Sequence, residues 1–106
     1  MLDGKFIRGT TPTHTFVLPF HVSLLDNLSV SYRQVGHTIP RVVKNVEECD
    51  VEENVVAVTL TQEESLSFTP GKIIEVQLKV ITDGGTVLAS PMYRLLVEDI
   101  LDERGF

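Results

Sequence analysis

The chain has 106 residues, 42% hydrophobic and 23% charged, which is the composition of one globular domain with its own core and excludes a disordered chain. The net charge is −6, and the nine Lys and Arg residues are scattered singly from Lys5 to Arg104, which argues against nucleic acid, because a phosphate backbone needs clustered cations. The longest strictly apolar run is four residues, Val55 to Val58, too short for membrane insertion, and MLDGKFIRGT lacks an apolar signal core, so the chain is expected to be made in the cytoplasm without a signal peptide.

From the N-terminus onward, period two dominates. His14, Phe16, Leu18 and Phe20 share one face, with Thr13, Thr15 and Val17 opposite. Leu28, Val30 and Tyr32 then alternate with Ser29, Ser31 and Arg33. Val35-Gly36-His37-Thr38 reads as a two-residue hairpin loop in which glycine supplies a positive φ. Glu52-Glu53-Asn54 separates the runs Val46 to Val51 and Val55 to Leu60. Five of the seven residues from Glu47 to Glu53 are acidic, and this segment reads as a solvated hairpin rather than a calcium loop, whose residue order it lacks. Cys49 lies inside it as the only cysteine, so no internal disulfide forms, and Glu48 and Asp50 disfavour its thiolate.

Thr61-Gln62-Glu63-Glu64 fits a capping box, in which the Thr61 hydroxyl accepts from the Glu64 N–H and the Glu64 carboxylate accepts from the Thr61 N–H. This predicts one helical turn at a corner between two sheets, with Leu66 and Phe68 dropping into the core. Neighbouring helix residues do not face each other, so Glu63 and Glu64 make a poor acid/base pair. Thr69-Pro70-Gly71-Lys72 has the residues of a type II turn. Ile74, Val76, Leu78 and Val80 form the cleanest strand, and Asp83-Gly84-Gly85 turns it into the next. Pro91 cannot donate to a ladder and predicts an edge position or a bulge.

The sum is an all-β, antiparallel β-sandwich, immunoglobulin-like, of about seven strands with one short helical corner at Thr61 to Ser65, spanning residues 1–106 as a single domain. The Cys-Trp-Cys hallmark of true immunoglobulin domains is missing, because the chain has no Trp. Candidate reactive groups do not converge. His14, His21 and His37 match no metal spacing, and His14, near the start of its strand, reads as a rim histidine. None of the six serines stands in a nucleophile motif, and no phosphate loop is present. With only Tyr32 and Tyr93 and no Trp, a sugar-stacking platform is poorly supplied. The reading is of no enzyme, no cofactor and no metal. Near the chain end, Ile100, Leu101 and Phe106 sit among Glu98, Asp99, Asp102 and Glu103, and either pack back on the domain or dock on a neighbour.

Three stretches together carry a resemblance: RGTTPTHTF from Arg8, LTQEESLSF from Leu60, and the last extended segment running into Ile100-Leu101. In this order they resemble a family of small proteins encoded by phages and prophages of Gram-positive, often gut, bacteria. The resemblance covers nearly the whole chain. It implies a structural or accessory role in the virion or tail, incorporation in phage particles, protein partners among those components, and self-association. It names no catalytic residue. The contact surface expected comprises Arg8, Thr10, Thr11, His14, Ile100 and Leu101 from these stretches, and Phe106 from the apolar chain end. The alternative is a binding module: an adhesin-like or carbohydrate-binding sandwich, or an intracellular phage accessory protein acting on a host protein.

Overall fold

The computed structural model describes residues 4–105. Phe106, one of the expected contact residues, lies outside them. The described residues form nine strands: β1 (Gly4–Ile7), β2 (Thr13–Val17), β3 (Leu25–Gln34), β4 (Val42–Asn45), β5 (Cys49–Glu52), β6 (Val55–Thr59), β7 (Ile73–Thr82), β8 (Val87–Ala89) and β9 (Tyr93–Glu98). One α-helical turn, α1 (Gln62–Leu66), separates β6 from β7. The larger sheet runs β1-β9-β7-β3-β4, with β8 also on β7, and the smaller runs β2-β6-β5.

These are the strand orders of an immunoglobulin variable-type sandwich. The small sheet supplies the second, fifth and fourth strands of that plan, and the large one its last, sixth, third and third-prime strands. The first strand has moved beside the last. It pairs with β9 in parallel, Gly4 opposite Leu95 through Ile7 opposite Glu98. That pairing departs from the expected purely antiparallel arrangement. Residues 8–12 carry the chain across to the other sheet instead of closing a hairpin, so β1 is free to run alongside the strand that ends the fold.

Alternation in the sequence places the core. Val30, Tyr32, Ile74, Val76 and Val97 face inward from the large sheet and are fully buried. Val56, Val58 and Leu60 meet them from the small sheet, also fully buried. Shifting any of these strands by one residue would put its apolar set in water, which is why the register is firmly set.

Two strands exceed the expected seven. One is β1, too short to show a period. The other arises because the last extended stretch divides at Ser90-Pro91-Met92 into β8 and β9, both lying along β7. From Lys79 to Val76 β7 spans three residues, while its partners go from Ala89 to Tyr93, four residues, so of the edge position or bulge expected at Pro91 it is a bulge that forms. The Ser90 hydroxyl accepts from the Leu78 N–H at 3.0 Å and keeps the ladder satisfied there.

Turn chemistry is mixed in its agreement. Gly71 (φ 75°) suits the type II turn after Pro70. The 35–38 loop is longer than two residues. Gly36 makes a tight turn in which the His37 N–H reaches the Gln34 carbonyl at 3.0 Å, but β4 begins only at Val42, after Pro40. Between β5 and β6, Glu52 pairs with Val55, leaving a two-residue loop. Glu53 there has φ 55°, the one non-glycine positive φ among the described residues. The run from Val46 to Val51 is half strand. Val46–Glu48 form a 3₁₀ turn that carries the chain from the large sheet to the small one.

Candidate functional site

The three stretches that carry the resemblance meet at one place. The Thr61 capping box is formed as expected: the Glu64 N–H donates to the Thr61 hydroxyl (3.1 Å) and the Thr61 N–H to Glu64 Oε1 (2.8 Å). It sets α1 so that its last carbonyls point toward residues 8 and 9. Arg8 Nη2 donates to the Leu66 carbonyl at 2.8 Å and Nε to the Phe68 carbonyl at 3.2 Å. Its Nη1 pairs with Asp99 (3.4 Å) and with Glu103. The guanidinium therefore satisfies the open end of the helical turn and ties in the chain end as well.

Gly9 completes the junction. Its N–H donates to the Ser65 hydroxyl at 2.6 Å, and its φ is 82°. A Cβ here would come within 3.0 Å of Leu66 Cδ2 and 3.5 Å of Ile100 Cδ1. Only glycine fits both the conformation and the space. Ser65 is fully buried and Phe68 almost so, whereas Leu66 is half-buried. The expected pair at the corner is thus corrected: Ser65 enters the core, because its hydroxyl has the Gly9 N–H as partner, and Leu66 lies over Gly9 instead.

Of the expected contact residues, Arg8 and Ile100 belong to this junction. The Arg8 side chain is only 13% exposed, and its donors are engaged within the chain. Thr10 and Thr11 are exposed, with the Thr10 hydroxyl bonded to the Ile7 carbonyl at 2.6 Å. Leu101 is fully exposed. His14 is not a rim histidine. It is buried, its ring lies edge-on to Phe6, and its Nδ1 shares a 2.7 Å hydrogen bond with the Tyr32 hydroxyl. Its place on the inward face of β2 overrides its nearness to the strand end. Burial lowers its pKa to about 4, so it is neutral near pH 7, and burial first of all raises that of Tyr32.

A second polar cluster stands beside the first. Lys44 points inward, in phase with Val42, and its ammonium reaches Glu64 Oε1 at 2.7 Å. Burial by itself would raise the Glu64 carboxyl. The hydrogen bonds from Lys44 and from the Thr61 N–H outweigh it and hold the group below its usual range. Cys49 is shifted upward, by burial and then by Glu48. Among the described residues, every buried side-chain polar atom has a partner, and no three His, Cys, Asp or Glu side chains gather as metal ligands. These clusters hold strands and corner together; none presents an open reactive group.

One surface that remains open is the outer face of the large sheet. Glu75 lies at its centre between Arg33 (2.8 Å) and Arg94 (3.9 Å). Around this triad Val35, Ile39, Val43, Ile73, Met92 and Leu96 are all exposed. A hollow of about 150 Å³ beside Glu75 is lined by Ser31, Arg33, Thr38, Pro40, Gln77 and Met92. Sequence reasoning did not single out this face. Its signal was present in the outward positions of the alternating strands, where Arg33, Glu75 and Arg94 occur in three separate segments that only the register brings together.

No protein-family model matches the sequence, and no curated protein matches it significantly.

Proposed function

We propose that the protein is a non-enzymatic structural or protein-interaction module of a phage, working through the outer face of its large sheet. The observation that carries this reading is that face: apolar side chains exposed around a charge triad in which two arginines flank one glutamate. The resemblance of the Arg8, Leu60 and Ile100 stretches to small phage proteins supplies the setting, a virion or tail component. Because those stretches meet in an internal junction, they support the reading through the fold they specify rather than as a contact surface.

The hollow at Glu75 favours a second reading, capture of a host protein by the same face. It would take a protein side chain better than a sugar ring, because no aromatic residue lines it. Quantitative mass spectrometry of particles purified from an induced host strain separates the two. A fixed copy number relative to the major capsid protein is expected of a virion part. Expression without incorporation would end the virion reading and direct the search to a host target.

A further inference from the structure

The two outer faces of the sandwich differ in charge on matching apolar rows: the large sheet carries an excess of cations among Glu75 and Glu98, with Lys5 Nζ 3.7 Å from Glu98 of its own copy, and the small sheet carries only acids. On the large sheet, Lys5, Leu96 and Ile73 stand side by side across β1, β9 and β7. On the small sheet, Glu52, Val55 and Val17 stand side by side across β5, β6 and β2. Each row is one charge followed by two apolar side chains, at the same inter-strand spacing, and the charges are opposite. Val17 is 70% exposed, and Leu96 and Ile73 are 37% exposed each.

The next rows repeat the contrast. The large sheet continues with Arg94, Glu75 and Arg33, the small sheet with Asp50, Ala57 and Thr15. No Lys or Arg occurs in β2, β5 or β6. A shallow depression over Val55 and Ala57 is rimmed by Asp50, Glu52 and Glu53. The molecule is 46 × 29 × 20 Å, and its broad faces exceed the roughly 800 Å² per partner of a standard interface.

We propose that copies of this chain stack front to back, the large sheet of one on the small sheet of the next, with Lys5 against Glu52 and Leu96 and Ile73 against Val55 and Val17. This deepens the interaction-module reading and rests on it, naming a second copy as the partner. The contact is heterologous: it leaves one face of each sort open at the ends, so it propagates into a ring or a filament rather than stopping at two copies. Sheets packed face to face about 10 Å apart already build the domain, and the stack repeats that packing between domains.

Sedimentation velocity of the purified protein at micromolar to millimolar concentration tests this. Mass above the dimer, growing with concentration, is expected. Lys5→Glu with Arg94→Glu reverses the front, and Asp50→Lys with Glu52→Lys reverses the back; circular dichroism checks that both remain folded. Each double variant alone should stay monomeric, and mixing the two should restore association. On the wild-type protein, a zero-length carbodiimide cross-link should join Lys5 of one copy to Glu52 of another. This readout needs no variant. Monomer at every concentration overturns the stacking, and so does a back-face variant that still dimerises, which would mean a symmetric front-to-front contact. A monomer that is nevertheless present in particles would overturn the stacking while leaving the interaction-module reading standing.

Discussion

Replacing Arg8 by methionine keeps an unbranched apolar stem and removes the five donors of the guanidinium. Two carbonyls, those of Leu66 and Phe68, then lose charged partners in a partly buried site. Hydrogen bonds to a charged group are worth about 1.5–3 kcal/mol each, and two sharing one guanidinium are not additive, so about 3 kcal/mol is expected from this side. Asp99 and Glu103 are 65% and 62% exposed, and pairs of that kind add about 1 kcal/mol at most. The total, about 3–4 kcal/mol, is a large share of the stability of a domain this size and corresponds to a fall in Tm of roughly 15 °C or more. Urea unfolding followed by circular dichroism measures it. Because the carbonyl part is not an ion pair, most of the loss should persist in 1 M salt, where the screening length is about 3 Å. Arg8→Lys should recover less than half, since an ammonium cannot bridge both carbonyls and the carboxylates. Arg104 has an 87% exposed side chain, so Arg104→Met is the control and should leave the urea midpoint essentially unchanged. A loss at Arg8 no greater than at Arg104 would refute the junction as a source of stability.

Three further outcomes are expected. His14 is neutral in the fold, with a pKa of about 4 against 6.5 unfolded, so below pH 6.5 the unfolded chain binds the extra proton. Stability should fall between pH 6.5 and 4 by about 2–3 kcal/mol, at about 1.4 kcal/mol per unit, and be independent of this group below pH 4; the same titration of His14→Gln should lack that component. Thr61→Ala should cost about 1 kcal/mol, and Glu64→Gln about 2–3 kcal/mol, because the second also removes the nearer carboxylate of the buried Lys44 and leaves it only Glu48 at 4.0 Å; equal losses in urea titrations would count against that pair. Glu53→Gly should raise stability by about 1 kcal/mol by relieving the left-handed conformation at φ 55°, and a lower unfolding midpoint would contradict this.

Local chemistry was legible where a residue's own neighbours in sequence decide its place. Thr61 and Glu64 are three residues apart and their capping box can be read directly. The alternation through Ile74 and Val80 fixed a face, and Pro91 announced the bulge. What escaped reading depends on residues far apart in the chain. Arg8 looked like an exposed cation because its carbonyl partners lie about sixty positions away. His14 looked like a rim residue because nothing near it in sequence reveals Tyr32. Lys44 is in phase with Val42, so its inward direction was readable, yet the carboxylate that makes that direction tolerable comes from α1. The outer-face triad needed the register of three strands before it existed as a feature at all.

The parallel pairing of β1 with β9 also governs the order in which the fold closes. Among the described residues β9 is the only strand partner of β1, and Arg8 and Glu103 are separated by 95 positions. During synthesis the β3–β4 and β5–β6 hairpins can pair early, since their partners are neighbours in the chain. The first strand must wait for the last. Until then the apolar face of Phe6 and the unoccupied carbonyls of α1 stay open, which gives the nascent chain a late, all-or-none closing step and makes the unfinished polypeptide the species most exposed to aggregation.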